Sequence, residues 1–220
     1  MIDPTIHRGD AAARAWIDGA ALSEVDAGIR SIHDLIARET AAARPRCDVS
    51  GRCCRFEQWG HRLYVTGLEA AWFLRQAAIE TRGGADPGAA SVDVSERAET
   101  PPPPDRASVA TTLSVQVIDA AQARGDCPFL SRGRCTVHAI RPMGCRVYFC
   151  DPAAREWQQD LFEHAHRKIA DLHTARSIPY EFAEWRLLLR RLTLAAPALA
   201  SRVVVRDEPP PSRLVQVGRS

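Results

Sequence analysis

"CPFLSRGRCTVHAIRPMGCRVYFC", residues 127–150, places four of the chain's seven cysteines within 24 residues. The other three, Cys47, Cys53 and Cys54, stand upstream in "CDVSGRCC". Every thiol therefore lies in one of two short segments. Both are turn-rich: Ser50-Gly51 marks the first, and Asp126-Cys127-Pro128 with Ser131-Arg132-Gly133 marks the second. The two segments are expected to meet in space and hold a metal. The fold that follows is mainly α: a small single helical domain around a loop-built cysteine cluster, with one short β-hairpin.

Composition narrows the class. A chain of 220 residues suits one domain with tails or a small helical appendage. Hydrophobic content of 45% is that of an ordinary globular protein. Lys+Arg is 29 against Asp+Glu 27, a balance that indicates no nucleic-acid partner and no anionic membrane. The opening "MIDPTIHRGD" is not a basic-then-apolar leader. The most apolar run, "LLLRRLTLAAPALASRVVV", is broken by Arg190, Arg191 and Arg202. A cytoplasmic protein is expected, and in that compartment thiols stay reduced. Clustered cysteines there favour metal or redox chemistry over disulfides, and seven is an odd number for pairing.

The elements are read from periodicity and caps. Val25, Ile29, Ile32 and Ile36 recur at helical spacing over residues 23–43, behind a Ser23/Asp26 capping pattern and ahead of Pro45. A shorter helix over residues 10–21 would carry Trp16. Leu63-Tyr64-Val65 reads as an extended piece, and Thr66 and Glu69 cap a helix over 67–80. Helices are further expected over 107–123, 152–175 and 179–192, although "LSVQVID" also suits a strand. Asp151-Pro152 is a strong helix start. Phe129-Leu130 facing Thr136-Val137 makes the hairpin. The domain organisation is an N-terminal segment 1–22, a cysteine-cluster domain 23–192 with a flexible excursion 82–106, and a disordered tail 193–220.

Crowded thiols carry the chemistry. The spacing is Cys47-x5-Cys53-Cys54-x72-Cys127-x7-Cys135-x9-Cys145-x4-Cys150, which matches neither paired zinc knuckles nor ferredoxin runs. Neighbouring thiolates repel, and burying one uncompensated is costly; a divalent or multi-iron centre removes both problems. Gly51, Gly133 and Gly144 let the loops curl tightly. Arg46, Arg52, Arg55, Arg132, Arg134, Arg141 and Arg146 would offset surplus negative charge. Seven sulfurs suit either one four-sulfur site with spare thiols or two neighbouring metals sharing a thiolate. Cys53 and Cys54 are adjacent, so their side chains are expected to diverge. Buried inert thiols are the alternative, with Cys54 and Cys150 expected to stand aside.

"GRCC", then "CPFL", Gly133-Arg134-Cys135, Val137-His138 and Arg141-Pro142-Met143-Gly144-Cys145-Arg146 together resemble the bacterial YkgJ-like cysteine-cluster family. The likeness covers roughly residues 47–150. It departs in the early set, where Cys47 lies five residues before Cys53 instead of in a tighter run. The resemblance implies chelation of zinc or iron with no assigned reaction. A similar cysteine set in a flagellin lysine methylase implies an iron–sulfur cluster. The metal ligands expected are Cys47, Cys53, Cys54, Cys127, Cys135, Cys145 and Cys150.

His138, a C-x2-H step after Cys135, either completes the shell or hydrogen-bonds within its turn. His164, His166 and His173 are read as helix-surface residues and His61 as structural; Trp59, Trp72, Trp157 and Trp185 are read as core. No phosphate loop, nucleophile elbow or H-E-x-x-H motif is present. Two functions follow: a metal-binding protein, or an iron–sulfur or iron-dependent enzyme of redox or group transfer. Beyond the metal ion, no partner is indicated.

Overall fold

The structure, a computed structural model, describes residues 4–47, 51–80 and 109–207. Its helices are α1 (Pro4–Gly19), α2 (Ser23–Ala43), α3 (Gly67–Glu80), α4 (Val115–Arg124), α5 (Met143–Arg146), α6 (Arg155–Ala175), α7 (Trp185–Ala195) and α8 (Pro197–Ala200). Its strands are β1 (Tyr64–Thr66), β2 (Val109–Thr112), β3 (Leu130–Ser131), β4 (Arg134–Cys135), β5 (Phe182–Glu184) and β6 (Val204–Asp207). The fold is mainly helical and single-domain, as the periodicities predict.

The strands form three antiparallel pairs. β3 and β4 are the expected hairpin, paired Leu130 with Cys135 and Ser131 with Arg134. The other two pairs, β1 with β5 and β2 with β6, join segments far apart in the chain. No helical or alternating period announces pairs this short.

The main core gathers around α3, which is buried on nearly every face from Gly67 to Ala78. Phe73 stacks edge-on against Phe129 (5.0 Å) and Trp185 (4.9 Å), tying α3 to the second cysteine segment and to α7. α2 is divided along its length: Val25 and Ile29 face this core, while Ile32 and Ile36 meet Met143, Val147, Leu161, Ala165 and Ile169 in a second cluster. α5 therefore sits between the two clusters, with Met143 in the second and Cys145 packed against the first.

Several expectations are corrected. Trp16 is fully buried, so the N-terminal segment is part of the body, not an appendage. Its indole donates to the Pro179 carbonyl at 2.7 Å, and its ring fills the space where any Cβ on Gly67 would stand. The Ser23/Asp26 capping box does not form. Asp26 instead accepts from Trp72 Nε1 (2.8 Å), Gln76 Nε2 (3.1 Å) and Arg30 Nε (2.9 Å), so its carboxylate clamps α2 to α3. The stretch expected to be helical over 107–123 is strand β2 and then α4, capped by the Ser114 hydroxyl. Residues 182–184 pair as β5 before α7 begins. A one-turn 3-10 segment, Pro152–Ala154, precedes α6, with Asp151 accepting from the Ala153 N–H at 3.0 Å as the motif predicts. The tail begins later than residue 193: α7 runs to Ala195, α8 follows, and β6 closes on β2 through Asp207. The excursion 82–106 lies outside the described residues.

Candidate metal centre

The first cysteine segment turns at Gly51, whose φ of +68° is a left-handed conformation natural to glycine. A Cβ at Gly51 would collide with the Gly133 carbonyl, so the two loops touch backbone to backbone there. The Cys127 N–H donates to the Cys54 carbonyl at 2.7 Å, a second tie between the segments. Cys53 and Cys54 lie in a 3-10 turn, Arg52–Cys54, and Cys135 closes the β3–β4 hairpin beside them.

Around this junction the thiols converge. Cys54 is buried, and its thiol interacts with those of Cys127, Cys135 and Cys53. Cys145 lies close enough to Cys127, Cys135 and Cys53 to feel their charge. Five thiols from both segments therefore lie near one another. The arrangement corrects two details. Cys53 and Cys54, expected to diverge, interact with one another within the 3-10 turn. Cys54, expected to stand aside, is the hub.

Electrostatics follow from that crowding. Contact with the Cys54 thiol, opposed by burial and aided by Arg141, brings Cys53 down to about 6. The same contact lowers Cys135. Cys54 is driven far up by its bonds to Cys127, Cys135 and Cys53. Burial, then repulsion from Cys127, Cys135 and Cys53, pushes Cys145 up. The locus thus stabilises partial ionisation and resists full ionisation, the behaviour expected of thiols crowded without a cation. Arg141 is the guanidinium that favours the thiolates, helping to lower Cys53 and Cys135 and opposing the rise at Cys145. Other arginines of the segments serve the loops: Arg52 stacks on Trp59 at 4.3 Å, and Arg146 donates to the Arg141 carbonyl (2.9 Å) and the Ala139 carbonyl.

Among the described residues, no group of three or more His, Cys, Asp or Glu side chains is already disposed to hold a metal ion. By its chemistry, a set of thiol donors suits a thiophilic ion once deprotonated.

The remaining expected ligands lie farther out. Cys47 is exposed; its neighbour Arg46 donates its N–H to the Asp151 carboxylate at 3.1 Å, beside Cys150. Cys150 is half-buried on the wall of an open cleft of about 520 Å³ that also reaches Cys53 and Cys145. His138 starts the 3-10 turn His138–Ile140; burial, Arg141 and Arg146 lower its pKa, and no described contact joins it to a thiol.

Other readings of single residues change as well. Trp59 is exposed on Arg52, not in the core. His61 stacks on Tyr148 (5.0 Å, 16° between planes) and lines the cleft. His173 is buried, its Nδ1 facing the Pro179 carbonyl at 3.0 Å, and is no surface residue. The sequence reading treats Glu69 only as a cap. The structure buries it fully beneath α5, where its carboxylate accepts the Met143 N–H and burial raises it to about 7. Its position inside an otherwise apolar α3 face, "GLEAAWFL", is the signal that could have marked it.

Comparison with protein-family models, with curated proteins and with solved structures gives no match to this chain.

Proposed function

We propose that this chain binds zinc or iron through thiolates drawn from its two cysteine segments, as its motif resemblance to the YkgJ-like proteins implies. The observation that carries this reading is the junction of the two cysteine segments, where the Cys127 N–H donates to the Cys54 carbonyl at 2.7 Å and Gly51 lies against the Gly133 carbonyl. Thiols held that close gain from a cation that replaces their shared protons. Cys53, Cys54, Cys127, Cys135 and Cys145 are the inner donors; Cys47, Cys150 and His138 are outer candidates. Reduced thiols in such a cluster suit a cytoplasmic protein. Among the described residues no helix is long and apolar enough to cross a membrane.

A second reading, an iron–sulfur or iron-dependent enzyme of redox or group transfer, is favoured by one observation. The cleft opens onto Cys53 and Cys145, whereas a closed structural zinc shell has no need of access. Anaerobic purification with elemental analysis, visible absorption and labile-sulfide assay tests both. A colourless chain holding about one or two zinc ions supports the first. A brown chain with labile sulfide supports the second. A pure, reduced chain that carries no metal and takes up neither zinc nor iron refutes both.

A further inference from the structure

We infer that the cleft beside the thiols is a binding site for a flat aromatic carboxylate. The cleft lies between the approach to β1, the segment after α5 and the start of α6, with Cys53 and Cys145 among its lining. Its volume of about 520 Å³ falls in the range of sites that enclose a small organic molecule.

The walls are rich in aromatic rings. His61 and Tyr148, both in the lining, stack on one another at 5.0 Å. Phe182 stands 6.4 Å from Phe162 and 5.8 Å from Tyr64, centroid to centroid. Tyr64 and Tyr148 are 44% and 38% exposed, so apolar area at the cleft stays open to water until a ligand covers it. An aromatic ligand against such a lining gains ring contacts as well as burial.

The cleft lining sets the guanidiniums of Arg62 and Arg155 against the Asp151 carboxylate and the lowered Cys53 thiol. Among the described residues nothing pairs with the Arg155 guanidinium, and Arg62 meets only Glu57, at 3.7 Å with both side chains more than half exposed. Asp151 is the acid in the lining, and its two oxygens already accept the Ala153 and Arg46 N–H groups. The Arg155 guanidinium therefore offers a carboxylate a planar fork to bind.

Calorimetric titration of the full chain, with and without its metal, uses 2-naphthoate as the probe. 2-Naphthylmethylammonium and cyclohexanecarboxylate serve as the opposite-charge and non-planar controls. Naphthoate is expected to bind one to one and at least tenfold more tightly than either control. Arg155→Gln, an exposed change, should weaken it about tenfold, the effect of losing one charged hydrogen bond. Tyr148→Leu should weaken naphthoate more than cyclohexanecarboxylate. Bound naphthoate should also slow iodoacetamide alkylation of Cys150, read by peptide mass spectrometry, and leave exposed Cys47 unchanged. The inference is overturned if naphthoate fails to bind, if the ammonium binds as tightly, if Arg155→Gln has no effect, or if Cys150 gains no protection. Binding that disappears with the metal but survives Arg155→Gln would put the carboxylate on the ion and equally overturn it. Because the titration is run in both metal states, its result stands apart from the metal-binding proposal.

Discussion

At the scale of the residue, the thiols were readable in number and neighbourhood but not in arrangement. Segregation into two segments announces that they meet; that Cys54 is the hub depends on a 3-10 turn which "GRCC" does not encode by any period. Substitution separates hub from rim. Cys54→Ser, Cys135→Ser and Cys145→Ser should each lower metal content and melting temperature, because site assembly is coupled to folding. Cys150→Ser should do less. Unchanged metal content in both Cys135→Ser and Cys145→Ser would refute the ligand assignment. The buried pair beneath α5 gives a separate test. Glu69 is raised from 4.5 to about 7, so the folded chain keeps a proton that the unfolded chain has released in that window, and stability falls as pH rises through it. His33, buried against Trp72, is lowered from 6.5 to about 3, so there the unfolded chain holds the extra proton and stability falls as pH drops. Between pH 4.5 and 6.5 the two slopes oppose each other. Glu69→Gln leaves the His33 slope alone. Urea unfolding across that window should then show the variant losing about 1 kcal/mol more per pH unit on acidification than the parent. Parallel pH profiles would show that Glu69 does not hold its proton.

At the scale of the element, α2, α3 and α6 could be found because their apolar residues keep a helical period against one or two packed faces. β1–β5 and β2–β6 could not, since each is a ladder of a few residues whose partner lies far along the chain. The cleft was hidden for the same reason: its walls come from residues 61–64, 147–159, Phe162 and Phe182. The clasp between the two cysteine loops is testable as an element. Gly51→Ala adds both a left-handed penalty and a collision with the Gly133 carbonyl. Gly60→Ala has the same sign of φ, +64°, but meets no atom within 4 Å. Gly60→Ala should therefore cost about 1 kcal/mol in urea unfolding, and Gly51→Ala clearly more, with metal uptake reduced. Equal costs in the two variants would show that the loop contact is not tight.

At the scale of the whole molecule, α1 completes the body. Trp16 donates to Pro179, lies under the Arg191 guanidinium at 4.9 Å and fills the hollow above Gly67. Trp16→Ala should destabilise the chain by about 3–5 kcal/mol in chemical denaturation, as for other buried tryptophans. A loss below 1 kcal/mol would mean that the helix is an appendage after all. The β2–β6 ladder has a mechanical consequence. Val109 faces Asp207 at one end and Thr112 faces Val204 at the other, so traction on the C-terminal side of Asp207 loads the cross-strand bonds one at a time instead of all together. Among the described residues, an unfoldase hauling from that side would meet this zipper before it met a helix. The first surface uncovered would be Val205 and then Val203, hard by the hairpin that presents Cys135.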